Sequence, residues 1–249
     1  MLARPSAVRN ILSGRQTQDR RPAWKAPVLL GNRTPPPGAK IIYQNIGSTP
    51  VPYFCRPTIW QEVRPGDRIW IRENFFTEGG PFGETFGYAA DIPAEHGAPR
   101  LIPSIHMPRH LSRLTLVVTE VRRQRIRDIS HDDILTEGIV EENSLVGVEC
   151  FGEGTIDIWG LRCFFDGGDG DGYKSATEAF TALWNGLHGS RRGQSWADDP
   201  EVVATTFETH CCNIDQIPAR VAARPRVGSQ DDLITSGAAG TKSGTATTV

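Results

Sequence analysis

The chain is poor in cysteine, and none of it falls in a CxxC pair: Cys55, Cys150, Cys163, Cys211 and Cys212 are the whole set. An odd number without paired spacing excludes a disulfide framework. Metal ligation fares no better. Cys211 and Cys212 are adjacent, too close to chelate with His210, and Met107 and Pro108 between His106 and His110 signal a turn rather than one helical face. No metal and no cofactor is expected. The sequence also lacks an apolar run of membrane-spanning length and, at its start, the apolar core of a signal peptide, so a cytoplasmic protein without membrane contact is expected. From Ala219 onward there is no aromatic residue, and small and polar types take over. Residues 208–249 are therefore expected to form a low-complexity, disordered tail.

Charge is nearly balanced, with a formal net charge of −2, but it is not evenly spread. The opening segment carries Arg4, Arg9, Arg15, Arg20, Arg21 and Lys25 against Asp19 alone. A second basic run holds Arg109, Arg113, Arg122, Arg123, Arg125 and Arg127 against Glu120. Between Asp128 and Asp171 the balance reverses, with twelve acids and Arg162 as the one base. Arginine pairs with phosphate oxygens and stacks on bases, so two basic runs brought together would make an anion-binding surface for phosphate or nucleic acid.

Periodicity predicts a mixed fold. Pro5 suits a first helical turn, Val8, Ile11 and Leu12 recur at helical spacing, and Gly14 supplies a stop. Alternating apolar residues predict strands over 40–44, 67–73, 114–125 and 201–207. In the second of these, Glu73 shares a face with Ile69 and Ile71, at a pocket rim. Ser130 and Ser175 are N-caps of two further helices, the latter with Glu178 in a capping-box pattern and with Phe180, Leu183, Trp184 and Leu187 on one apolar face. Residues 146–165 read as an extra hairpin turning at Gly152 and Gly154, with Ile156, Ile158 and Leu161 packing. Asp166, Asp169 and Asp171 alternate with glycine as in a calcium loop, but the twelfth position counted from Asp166 or Asp169 is Thr177 or Phe180, not a bidentate glutamate.

The run Gly14, Arg15, Gln16, Thr17, Gln18, Asp19, Arg20, Arg21 resembles the signature of ASCH-domain proteins, a PUA-like family in which glycine, lysine, threonine and arginine follow at fixed spacing. Gly14 and Arg21 match, while Gln16 stands at the lysine and Asp19 at the threonine. GDRIWIRENF, PSIHMPRHLSRLTLVVTEVR, DISHDDILTEGI and AFTALWNGLHG resemble, in order, blocks of the larger phage and prophage members. The resemblance covers about residues 1–207, with an insertion near 144–174. It implies an α+β fold built on a small PUA-like β-barrel with peripheral helices.

The resemblance also implies a site. Small bacterial members are proposed to use the lysine, the threonine and a later glutamate as an amidohydrolase on N4-acetylcytidine, and Glu73 stands at that glutamate. Gln16 is neutral and supplies neither a base nor a cation, and Asp19 offers a carboxylate where a hydroxyl nucleophile belongs. The expectation is therefore binding of RNA or a nucleotide-like ligand. Arg15, Arg20 and Arg21 would meet phosphate, Gln16 and Asp19 a base edge, and His106 and Arg109 would form the opposite wall. An amidohydrolase using Glu73, Asp19 and Gln16, and a phage accessory protein that binds another protein, are the alternatives.

Overall fold

A computed structural model of the chain describes residues 1, 3–78, 85–92, 100–151, 154–165, 168 and 170–218. The fold is α+β and mostly strand, with a curled half-barrel sheet and few helices. Helix α1 spans Pro5–Leu12, α2 His131–Thr136 and α3 Ala176–Trp184. The strands are β1 Gln18–Pro22, β2 Val28–Leu29, β3 Lys40–Ile46, β4 Thr49–Cys55, β5 Arg68–Trp70, β6 Phe75–Glu78, β7 Thr85–Tyr88, β8 Thr115–Arg125, β9 Val140–Phe151, β10 Gly154–Phe164 and β11 Glu201–His210. No helix among the described residues is long and apolar enough to cross a membrane.

The central sheet is antiparallel in the order β1, β11, β8, β5. It joins the two ends of the fold, because Arg20 pairs with Ala204 and Val202 with Gln124. Strand β1 was not expected, since its sequence QDRRP is polar throughout. It is extended because every second residue, Gln18, Arg20 and Pro22, turns inward. The polar ones find partners there rather than water, as a buried strand face requires.

The helix starts form as the sequence indicates. Pro5 opens α1 and Gly14 ends its turn at φ +73°. Ser130 accepts from Asp133 N at 3.1 Å and Ser175 from Glu178 N at 3.2 Å. The capping-box pattern at Ser175 is not reciprocal, because the Glu178 carboxylate takes Lys174 N at 3.1 Å instead of its N-cap. Beyond Trp184 the helix widens into one π turn over Asn185–Gly189.

Two apolar clusters organise the interior. One packs Ile126, Ile134, Phe180, Trp184 and Val202 behind α2 and α3, and the other packs Val8, Ile11, Ile71, Leu114 and Phe207 beneath α1. Truncating Phe180, 2 % exposed, to alanine would cost about 3–5 kcal/mol.

Other boundaries differ from expectation. The hairpin runs from 140 to 164, and Leu161 and Ile158 do not pack: they are 56 % and 37 % exposed, alongside Trp159 at 64 %. Gly152, the side chain of Ile156, Asp166 and Asp169 lie outside what is described, as does the segment 219–249. The packed chain also continues past Phe207, because β11 reaches His210 and the next turn buries Ile214 and Ile217. Arg68 Nη1 donates to the carbonyls of both.

Candidate functional site

A cleft of about 640 Å³ opens between the amino-terminal segment and the α3 helix. Local geometry at its floor follows from short-range bonds. Gln16 N donates to Asn10 O at 3.0 Å and Thr17 N to Thr136 O at 3.0 Å, which ties α1 and the start of β1 to the end of α2. The end of α2 is a tight one: Glu137 is its C-cap and Gly138 follows at φ +93°, a conformation that L side chains rarely adopt. A Cβ there would stand 2.7 Å from Asn10 Nδ2. Glycine thus lets α1 and α2 approach closely enough to form the floor.

One wall is polar and basic, with Arg4, Arg9, Asn10, Gln16, Asp19 and Arg21. Asp19 Oδ2 accepts from Arg21 Nε at 2.6 Å, and the Arg21 guanidinium lies 5.4 Å from the centroid of the Trp60 ring. The other wall is apolar, with Phe165, Phe180, Leu183, Trp184 and Leu187, and carries His188. The His188 ring sits 4.4 Å from that of Trp184, whose Nε1 is held by Gln194 O at 2.8 Å. His188 is 6 % exposed, and its Nδ1 is buried with no hydrogen-bond partner among the described residues. Burial, then the charges of Arg21, Arg191 and Arg4, lower its pKa to about 4, so the imidazole is neutral at physiological pH.

Beneath the floor lies a buried charge network. Arg20, with a fully buried side chain, donates to Glu137 Oε1 at 2.6 Å and to Asp133 Oδ2 at 2.8 Å. It also donates to Gln18 Oε1. Arg122 reaches the other Asp133 oxygen at 2.8 Å. Glu137 lines the cleft, and burial, opposed by Arg20, raises its carboxyl pKa. Asp133 is held low by the Arg122 hydrogen bond and the Arg20 charge, which outweigh its partial burial.

The geometry gathers some of the expected residues and separates others. Gln16, Asp19, Arg20 and Arg21 stand at the cleft, but Arg20 is spent as an internal counter-ion rather than presented to a ligand. Gln16 is buried and donates through Nε2 to Gln18 O at 3.2 Å. Arg15 is exposed beyond the lining, with Nε on Ser13 Oγ at 3.1 Å. Glu73 is 1 % exposed and lies off the cleft, where Arg113 clamps it at 2.9 and 3.1 Å and itself rests 3.8 Å from the Tyr88 ring centroid. His106 and Arg109 do not form the opposite wall. His106 is exposed on a short turn, and Arg109 is paired with Asp215 at 2.7 Å.

The second basic run is likewise engaged within the fold. Arg125 and Arg127 bond the carbonyls of Asp199, Trp196 and Ala197, and the two runs meet at Asp133, which both Arg20 and Arg122 grip. Asn10, Glu137 and His188 are among the cleft residues that sequence reasoning missed. For Glu137 the available signal was the glycine immediately after it, which marks a helix end. No group of three or more His, Cys, Asp or Glu among the described residues is arranged to hold a metal ion. Comparison with protein-family models, curated proteins and solved structures finds no match to this chain.

Proposed function

We propose that this chain binds RNA or a nucleotide-like ligand in the cleft between its amino-terminal segment and α3, in a fold of the PUA-like, ASCH type and in a cytoplasmic setting. The observation that carries the reading is the mixed lining of the cleft: the half-buried apolar side chains of Phe165, Leu183 and Leu187 together with arginines and the amides of Asn10 and Gln16. A nucleotide has the same mixed character, an apolar ring with a polar edge joined to an anion. Its volume suits a site of this size. In this reading Arg4, Arg9 and Arg21 meet phosphate, Asn10, Gln16 and Asp19 read the base edge, and the α3 face receives the ring.

The test is fluorescence anisotropy of short single-stranded oligoribonucleotides on the full chain at several salt concentrations. Binding that weakens steeply as salt rises supports the reading, because neutralised phosphates release counter-ions. Absence of binding at low salt overturns it.

Glu137 favours a second reading, an amidohydrolase acting on N4-acetylcytidine or a related nucleoside. A carboxyl with a raised pKa at the cleft floor is suited to move a proton between water and a leaving amine. The hydrolase reading predicts that Glu137→Gln abolishes acetate release, with Glu73→Gln retaining it. No turnover by the unaltered chain excludes that substrate.

A further inference from the structure

Strand β3 is an edge of its sheet, whose order is β2, β4, β3. The direction of its backbone groups follows from one bond on the far side of β4. Leu30 N donates to Pro52 O at 3.0 Å, so the polar groups of Pro52 turn towards β2. Tyr43 stands directly opposite Pro52, and in an antiparallel ladder its own N–H and C=O then point away from β4. Ile41 and Asn45, two residues to either side, point the same way. Together the three residues offer a row of N–H and C=O groups that meet no partner among the described residues.

The side chains follow the same alternation. Ile42 and Gln44 turn inward to line a pocket, while Ile41 and Tyr43 are 48 % and 69 % exposed. Sheet edges are ordinarily blunted by proline, by a bulge or by charge. The β2 side of β4 has Pro50 and Pro52. Strand β3, KIIYQNI, has no proline, pairs with β4 without a register shift, and carries one charge, Lys40, which is drawn to Glu201 at 3.7 Å.

We infer that β3 pairs with β3 of a second copy of this chain, antiparallel about a two-fold axis at Ile42, joining two three-stranded sheets into one. The strand is complementary to itself in that register. Ile41 of each copy lies opposite Tyr43 of the other, a β-branched residue against an aromatic, twice over. Both are hydrogen-bonded pairs that use the outward groups. Lys40 lies opposite Gln44, so no like charges meet. The pairing consumes the free edge of both copies, and association therefore stops at two. A contact along roughly 23 Å of edge covers less than the ~800 Å² per partner of a standard interface, so the dimer is weak, with a Kd on the order of 10–100 μM.

The experiment is sedimentation velocity of the full chain over about 5–500 μM, a range that brackets that Kd. A reducing buffer keeps the exposed Cys211 from cross-linking copies. A monomer–dimer equilibrium is expected. Tyr43→Pro removes one outward N–H and spares the ladder to β4, and Ile41→Lys sets a charge at the contact. Each should weaken dimerisation at least about tenfold. Ile46→Lys, at a comparably exposed residue whose backbone faces β4, should leave it unchanged. A chain monomeric throughout, a dimer indifferent to Tyr43→Pro and Ile41→Lys, a dimer lost equally to Ile46→Lys, or a ladder of larger species overturns the inference.

Discussion

The Arg20 guanidinium and the Glu137 carboxylate meet at 2.6 Å beneath the cleft, across a sequence separation of 117 residues. Neither is solvated enough to stand alone, with side-chain exposures of 0 % and 6 %. Arg20→Met would leave both Glu137 and Asp133 without their shared cation, and is expected to cost roughly 3–5 kcal/mol in urea unfolding. Arg20→Met combined with Glu137→Gln should recover part of that loss. Equal stability of the single variant and the unaltered chain would show that the pair carries no weight.

Glu137 gives that network a pH signature. Its folded pKa is raised, by burial first and against the pull of Arg20. A carboxyl raised on folding contributes stability below the ordinary carboxylate range and loses it as pH rises towards neutrality. Relative to Glu137→Gln, the unaltered chain should therefore lose stability over that rise, read as the difference between two denaturation series.

His188 acts in the opposite sense. Its folded pKa of about 4 lies below the ordinary 6.5, so the unfolded chain takes up a proton that the folded chain refuses. Stability relative to His188→Asn should fall as pH drops from 6.5 to 4, by up to roughly 3 kcal/mol. A flat difference across that range would place the imidazole in water rather than in the wall.

Gly138→Ala tests the close approach of α1 and α2. At φ +93° the new methyl is strained and meets Asn10 Nδ2 at 2.7 Å. A loss of about 1–3 kcal/mol in thermal unfolding is expected. Ligand affinity should fall with it, because Asn10 is part of the cleft wall.

Glu73→Gln separates the two sites that the sequence suggested were one. Loss of the charged, two-point contact with Arg113 should destabilise the fold by about 2 kcal/mol, since Arg113 keeps Asp91 at 2.6 Å. Nucleotide affinity of the folded protein should not change, which a calorimetric titration would read directly.

Elements with local signals were legible in the sequence: the proline-led first helix, the serine caps at 130 and 175, and the alternating strands near 40, 115 and 201. Strand β1 was not, because its inward face is Gln18 and Arg20, and nothing within the segment shows that Asp133 and Glu137 will arrive to pair them. The cleft was half legible for the same reason. Gln16, Asp19 and Arg21 stand in one basic run, whereas Glu137 and His188 sit in segments whose capping and apolar spacing read as scaffold. Glu73 misled because a carboxylate at the end of an apolar strand looks like a rim, and only the Arg113 fork turns it inward.

The pairing of β1 with β11 sets an order on synthesis. Gln18 leaves the ribosome well before its partner Thr206, so β1 waits for nearly the whole described fold before it has a ladder to join. Such distant pairing makes closure late and slow compared with the local hairpin of β9 and β10. A chain lacking β11 would leave the backbone of β1, the arginine-rich segment's only strand, without a ladder to join.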